Sequence, residues 1–142
     1  MKQIHKVCPV VFRDSSMRQI LAFEHPVAGT QLVKGSIEPG ETVRAAALRE
    51  LEEESGISNT GIAHDLGTWN SGHNDHVWSL QLCHFNPLLP EHWVHRCEDG
   101  GGHDLQFFWH DVREAPDENW RPHFRRALEA IQERTRALRW RG

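Results

Sequence analysis

The chain has 142 residues, enough for one domain with a single core. Its apolar fraction of 38% is ordinary for a globular protein, and no apolar run reaches the ~20 residues a membrane-spanning helix needs. A formal net charge of −4 supplies no global positive field to recruit nucleic acid.

The first residues, Met1 to His5, contain no apolar signal core, which predicts a cytoplasmic protein. Ile4–Phe12 alternates roughly, with Ile4, Cys8, Val10 and Phe12 on one side, and reads as a strand. Arg13–Ser16 is a turn, and Gln19–Glu24 is a second strand expected to pair with the first as a hairpin. His25–Gly29 reads as a loop. Gln31–Val33 is a short strand leading to Gly35, and Ser36–Gly40 is a loop with Pro39-Gly40 as its turn signal. Thr42 is placed to cap a helix over Val43–Ser55. Val43, Ala47 and Leu51 form an apolar row on it, widened by Leu48. Gly56 suits the left-handed position that ends it.

Ile62–Trp69 and Val77–Phe85 read as strands, the second with Trp78, Leu80 and Leu82 alternating. Trp93-Val94 is a short strand. Cys97–His103 holds three consecutive glycines and reads as a mobile loop. Leu105, Phe107 and Trp109 alternate in a last strand. Pro122 suits the first turn of a final helix, where Phe124, Ala127, Leu128, Ile131, Thr135 and Leu138 follow helical spacing. The string predicts an α/β sandwich, a mixed sheet covered by two helices, in one domain over residues 1–142. Cys8, Cys83 and Cys97 are odd in number and widely spaced, which points to free thiols in a reduced compartment.

The chemistry concentrates in Arg49-Glu50-Leu51-Glu52-Glu53-Glu54-Ser55-Gly56-Ile57. Glu50, Glu53 and Glu54 stand at i, i+3 and i+4, within an arc of about 100° on a helix. Like charges so close repel. A hard divalent cation such as Mg²⁺, with Mn²⁺ as a substitute, relieves the repulsion because it prefers carboxylate oxygens. The C-terminal arginines 113, 121, 125, 126, 134, 136, 139 and 141 make either a cationic face for a polyanionic substrate or a solvated amphipathic helix. His73/His76 and His92/His95 are spaced i, i+3, but neither segment reads as a helix, so surface or turn positions are expected. Trp69, Trp78, Trp93, Trp109 and Phe108 are candidates for stacking a base or for the core. Lys6, Arg18 and Lys34 are candidates for phosphate contacts or plain surface charges.

From Gly35 to Ile57 the sequence reads G-x5-E-x7-R-E-U-x-E-E-x-G-U, where U is a bulky aliphatic residue. Gly35, Glu41, Arg49, Glu50, Leu51, Glu53, Glu54, Gly56 and Ile57 fill every fixed position. The segment resembles the signature of the Nudix hydrolases. The resemblance implies an α-β-α sandwich and hydrolysis, by water attack at phosphorus, of a nucleoside diphosphate linked to another moiety. It implies Glu50, Glu53 and Glu54 as metal ligands, with Glu50 or Glu53 also taking the proton from water. It gives Arg49 and Glu41 an organising role and adds the backbone carbonyl near Lys34 to the metal shell. A further acid from a later loop is expected among Glu98, Asp99 and Asp104, with Glu98 as the chosen candidate.

The resemblance implies a small nucleotide substrate, with a nucleoside triphosphate or a nucleotide-sugar-like diphosphate expected first. There is no tyrosine to match the diadenosine polyphosphate pattern, and Ser71–Asn74 offers no proline to match the ADP-ribose pattern. No coenzyme A type motif precedes Gly35. Valine replaces proline in the P-K-G entry of polyphosphate-cleaving members. The 5′ end of RNA is the alternative substrate, and a non-catalytic nucleotide sensor is the alternative of another class. No membrane partner is expected, and both monomer and homodimer remain open.

Overall fold

Burial on both faces of its central strands decides the architecture. The computed structural model describes residues 3–139. Met1 and Lys2, and Arg141 of the arginine set, lie outside them. β1 (Lys6–Val10) directs Cys8 and Val10 into one apolar cluster and Val7 into another. β6 (Val77–Cys83) is buried at every residue, so it must lie inside a sheet covered on both sides. The two run parallel. β4 (Gly35–Ser36) and β5 (Ile62–Asn70) flank them antiparallel, in the order β4-β1-β6-β5.

A second, wholly antiparallel sheet has the order β3-β2-β8-β7, from β2 (Gln19–His25), β3 (Gly29–Gln31), β7 (His92–Cys97) and β8 (His103–Asp111). The α/β class is as expected, but the single mixed sheet is divided in two. The expected hairpin is divided with it. Phe12 bridges Ile20, and the Leu21 N–H donates to the Val11 carbonyl at 2.8 Å, yet β1 itself pairs in the other sheet. Val10, Val11 and Phe12 are all buried, so the chain crosses between sheets inside the core. β3 ends at Gln31, where the strand expected over Gln31–Val33 was to begin, and β7 extends well beyond Trp93-Val94.

α1 (Val43–Ser55) has the expected bounds. The Thr42 hydroxyl accepts the Ala45 N–H at 3.1 Å, a cap that contributes about 1 kcal/mol. Gly56, at φ 83°, ends the helix and returns its N–H to Glu52 O at 2.9 Å. Ala46 and Ala47 pack on Val7, while Leu51 joins Val11, Phe23 and Phe107. Burying Leu51 contributes roughly 2 kcal/mol. Leu48 is only partly buried, and Ala46 takes the covered position expected for it. α2 (Pro122–Arg139) covers the opposite face, with Phe124, Ala127, Leu128 and Ile131 against Trp78, Leu80 and Leu82. The glycine segment after β7 forms a short 3-10 turn, Asp99–Gly101. Among the described residues no helix is long and apolar enough to cross a membrane.

Candidate active site

Burying Ala47 and Leu51 turns the next edge of α1 toward a cleft of about 450 Å³. Arg49 organises that edge. Its Nε and Nη2 donate to both oxygens of Glu41, at 2.7 and 2.8 Å, as a bidentate fork. Nη2 also reaches the Ser36 carbonyl at 2.8 Å. Nη1 donates to Glu50 at 2.9 Å and to Glu53 at 3.2 Å. One guanidinium therefore ties the loop before α1 to two carboxylates of the helix. Glu41 also accepts the Glu38 N–H at 2.9 Å. The Arg49 guanidinium holds the Glu41 carboxyl at about 2, and Glu41 in turn raises the Arg49 pKa.

The other carboxylates pull the opposite way. Burial pushes Glu50 above the usual carboxylate range, although Arg49 opposes the shift. Burial pushes Glu54 up further, reinforced by the neighbouring charge of Glu50 and opposed by a backbone hydrogen bond from Lys34. Glu54 Oε2 is buried with no hydrogen-bond partner. An orphaned carboxylate oxygen of this kind calls for a cation or another ligand.

Gly35 faces Glu50 so closely that a Cβ there would fall 1.9 Å from the Glu50 Cδ. Lys34, beside it, lines the cleft with its ammonium 5.2 Å from the Trp78 ring and 5.5 Å from that of Phe124. Burial, and Lys6 nearby, lower its pKa. Lys6 also lines the cleft, where its ammonium donates to Ser36 Oγ at 2.7 Å. Arg18 does not line it.

The loop after β7 completes the carboxylate group with Asp99. Glu50, Glu53 and Asp99 offer ligand oxygens within 4.8 Å of one another. Glu98, the candidate chosen from sequence, is exposed and lies 3.8 Å from Arg96 Nε, outside this group. Asp104 also pairs with Arg96, at 3.4 Å. All three flank the glycines; the 3-10 turn decides which faces the helix. The oxygen-only donor set, the mutual distances and the unpaired Glu54 oxygen together fit a hard divalent cation.

Several of the other sequence candidates have structural employment. Arg126 donates to the Ser71 carbonyl and Arg134 to those of Leu66 and Thr68, at 2.8–2.9 Å. Arg125 binds the Trp120 and Asp117 carbonyls, and Arg113 pairs with Asp111. These arginines fasten α2 and its approach to the body of the fold. The Trp93 indole N–H donates to Ser55 O and that of Trp109 to Pro90 O, while Trp69 packs edge-on against Trp78. Among the described residues no tryptophan lines the carboxylate cleft. His76 stacks on His5, and His73 on His123, which burial and His73 push down to about 4. His92 and His95 lie on β7. Sequence reading missed the cleft positions of His25 and His103, because one was taken for a loop and the other for the end of one. Strand alternation extended by one step would have placed both on the face of Phe23 and Leu105.

Against known proteins, a family model described as the NUDIX domain matches residues 4–131. No curated protein matches. Among solved structures, a UDP-X diphosphatase superposes with a TM-score of 0.67 at 17% identity, over 96% of this chain and 65% of that one. The MutT protein from Methanosarcina mazei Go1 gives 0.65 at 16% identity, over 93% and 94%. The E. coli ORF135 protein gives 0.61 at 24% identity, over 96% and 94%. The chain thus spans about two thirds of the first of these and nearly the whole of the other two.

Proposed function

The chain belongs to the NUDIX domain family, and from that premise we propose that it is a pyrophosphohydrolase that cleaves nucleotide pyrophosphates with Mg²⁺. The substrate is a nucleoside diphosphate carrying a further group, either a third phosphate or a sugar-like moiety. Water attacks phosphorus, and a nucleoside monophosphate and a second phosphate species leave. The observation that carries this reading is the grouping of Glu50, Glu53 and Asp99 beside the unpaired Glu54 oxygen, in one cleft.

Glu50, Glu53, Glu54 and Asp99, with the Lys34 carbonyl, would hold the cation. When bound, a divalent ion neutralises phosphate oxygens and lowers the pKa of a bound water. The protein's own residues do the rest. Arg49 fixes the spacing of Glu50 and Glu53 so that no reorganisation is needed as charge develops. Glu41 holds Arg49 from the other side. A carboxylate of the Glu50–Glu53 pair takes the proton from the attacking water. Lys6 and Lys34 line the same cleft and counter the charge of the departing phosphate.

The test is hydrolysis of a panel of nucleoside triphosphates and nucleotide sugars in ¹⁸O-water with Mg²⁺ or Mn²⁺, with Glu53→Gln as control. The expected result is turnover that needs the metal, label in a phosphate product, and loss of activity in the variant. A folded, cation-binding protein that cleaves nothing on the panel would overturn the reading.

A further inference from the structure

Two neighbouring strands of the second sheet carry an apolar face and close it with histidine at the same end. On β2 that face reads Leu21, Phe23, His25; on β8, running the other way, it reads Phe107, Leu105, His103. The four apolar residues are buried in one cluster with Leu51 of α1. The two histidines are only partly buried, with ring centroids 4.4 Å apart at 53°. Both line the cleft that holds the carboxylates.

The chemistry of this wall is specific. His25 Nδ1 accepts the N–H groups of Val27 and Ala28, each at 3.0 Å. That lone pair is occupied, so the ring proton of the neutral imidazole sits on Nε2 as a donor. Burial, and then the neighbouring His103, hold the His25 pKa below its ordinary value. Gln31 lies in register with Phe23, also lines the cleft, and uses its amide nitrogen on the Ala28 carbonyl at 3.4 Å. Its Oε1 is left as an acceptor. The wall therefore offers imidazole rings, one fixed donor and one acceptor, without a fixed charge of its own. Arg121, the cation that acts on His25, does not line the cleft. Phosphate chemistry is provided for elsewhere, by Lys6, Lys34 and the carboxylate group.

The geometry points to His25, His103 and Gln31 as the subsite for the nucleobase, stacked on imidazole and hydrogen-bonded at its edge by His25 Nε2–H and Gln31 Oε1. This inference rests on the nucleotide reading of the cleft. It makes the pair a specificity device for the heterocyclic end of the substrate.

Calorimetric titration with the four nucleoside 5′-monophosphates, and with ribose 5-phosphate as a base-free probe, tests it on the intact protein with Mg²⁺. His103→Ala should weaken the preferred monophosphate roughly tenfold, the size of a lost base-stacking contact, and leave ribose 5-phosphate unchanged. His103→Phe restores a flat ring and should recover most of the affinity. His25→Asn keeps an acceptor for the Val27 and Ala28 N–H groups but removes the Nε2 donor. It should weaken the monophosphate about fivefold with an unaltered melting temperature. Equal loss of both probes, no loss of either, or a wild-type protein that does not prefer monophosphates to ribose 5-phosphate would each overturn the subsite. Hydrolysis with histidine-independent binding refutes the subsite and spares the reaction. Histidine-dependent binding without hydrolysis of any pyrophosphate refutes the reaction and spares the subsite.

Discussion

Gly35→Ala is the sharpest perturbation of the site, because it adds one carbon and touches one carboxylate. The added Cβ would stand 1.9 Å from Glu50 Cδ and 2.1 and 2.4 Å from its two oxygens. Reaching the 3.4 Å of ordinary van der Waals contact takes a shift of about 1.5 Å. A shift of that size displaces the carboxylate that accepts the Arg49 hydrogen bond at 2.9 Å. Losing one charge-assisted bond at a nearly buried carboxylate should cost about 1.5–3 kcal/mol of stability. Misplacing a catalytic group by about 1 Å costs roughly a hundredfold in rate, so kcat should fall by at least that much.

The assay is kcat with Mg²⁺ on any pyrophosphate the wild type cleaves, with melting temperature followed in parallel. Gly61→Ala is the control: its Cβ would meet only the His84 ring, at 3.4 Å, so both readouts should stay near wild type. The double variant Gly35→Ala/Glu50→Asp is diagnostic. Shortening the side chain by one bond withdraws the carboxylate by about 1.5 Å and should restore part of the lost activity. A Gly35→Ala enzyme within threefold of wild-type kcat would refute the claim that this glycine exists to admit Glu50.

Arg49→Lys keeps the charge but cannot serve Glu41, Ser36, Glu50 and Glu53 together; kcat should drop at least tenfold and the melting temperature should fall. Asp99→Asn should weaken Mg²⁺ binding by about tenfold in a calorimetric titration, whereas Glu98→Gln should leave it unchanged; the reverse order would restore Glu98 as the loop ligand. In metal-free protein, the raised pKa of Glu54 means the folded state holds its proton more tightly than the unfolded chain. Stability is therefore fully present below pH 4.5 and should decline as pH rises from there through the raised folded value; Glu54→Gln should flatten that decline in a melting series. Mg²⁺ at about ten times its dissociation constant should stabilise the wild type by about 1.4 kcal/mol, and no shift in melting temperature would count against a cation at this site.

How much of this was legible in the sequence depends on the range of the interactions. α1 was readable to the residue because its cap, its apolar row and its terminating glycine are all local signals. The carboxylate arc was readable for the same reason. The division into two sheets was not, since strand pairing is long-range: β1 and β6 are parallel neighbours about seventy positions apart in sequence. The role of the arginine-rich terminus was not legible, because charge is visible in a sequence and its backbone partners are not; Arg134 reaches carbonyls on β5. Choosing among Glu98, Asp99 and Asp104 needed the path of one 3-10 turn.

The site is held in a state that packing alone would not select. The fold places Leu51 in the core and the adjoining carboxylates of Glu50 and Glu54 at its margin, where burial disfavours their charge. Arg49 resolves only part of the conflict, because its fork is committed to Glu41 and its remaining donors reach Glu50 and Glu53 but not Glu54. A second guanidinium would neutralise the residue charge and leave nothing to attract a cation. Leaving Glu54 Oε2 without a partner costs stability in the metal-free protein and concentrates affinity at one point of the cleft. Stability and cation binding are then linked through the same oxygen, which is why the pH series and the Mg²⁺ series should move together and why Glu54→Gln should flatten both.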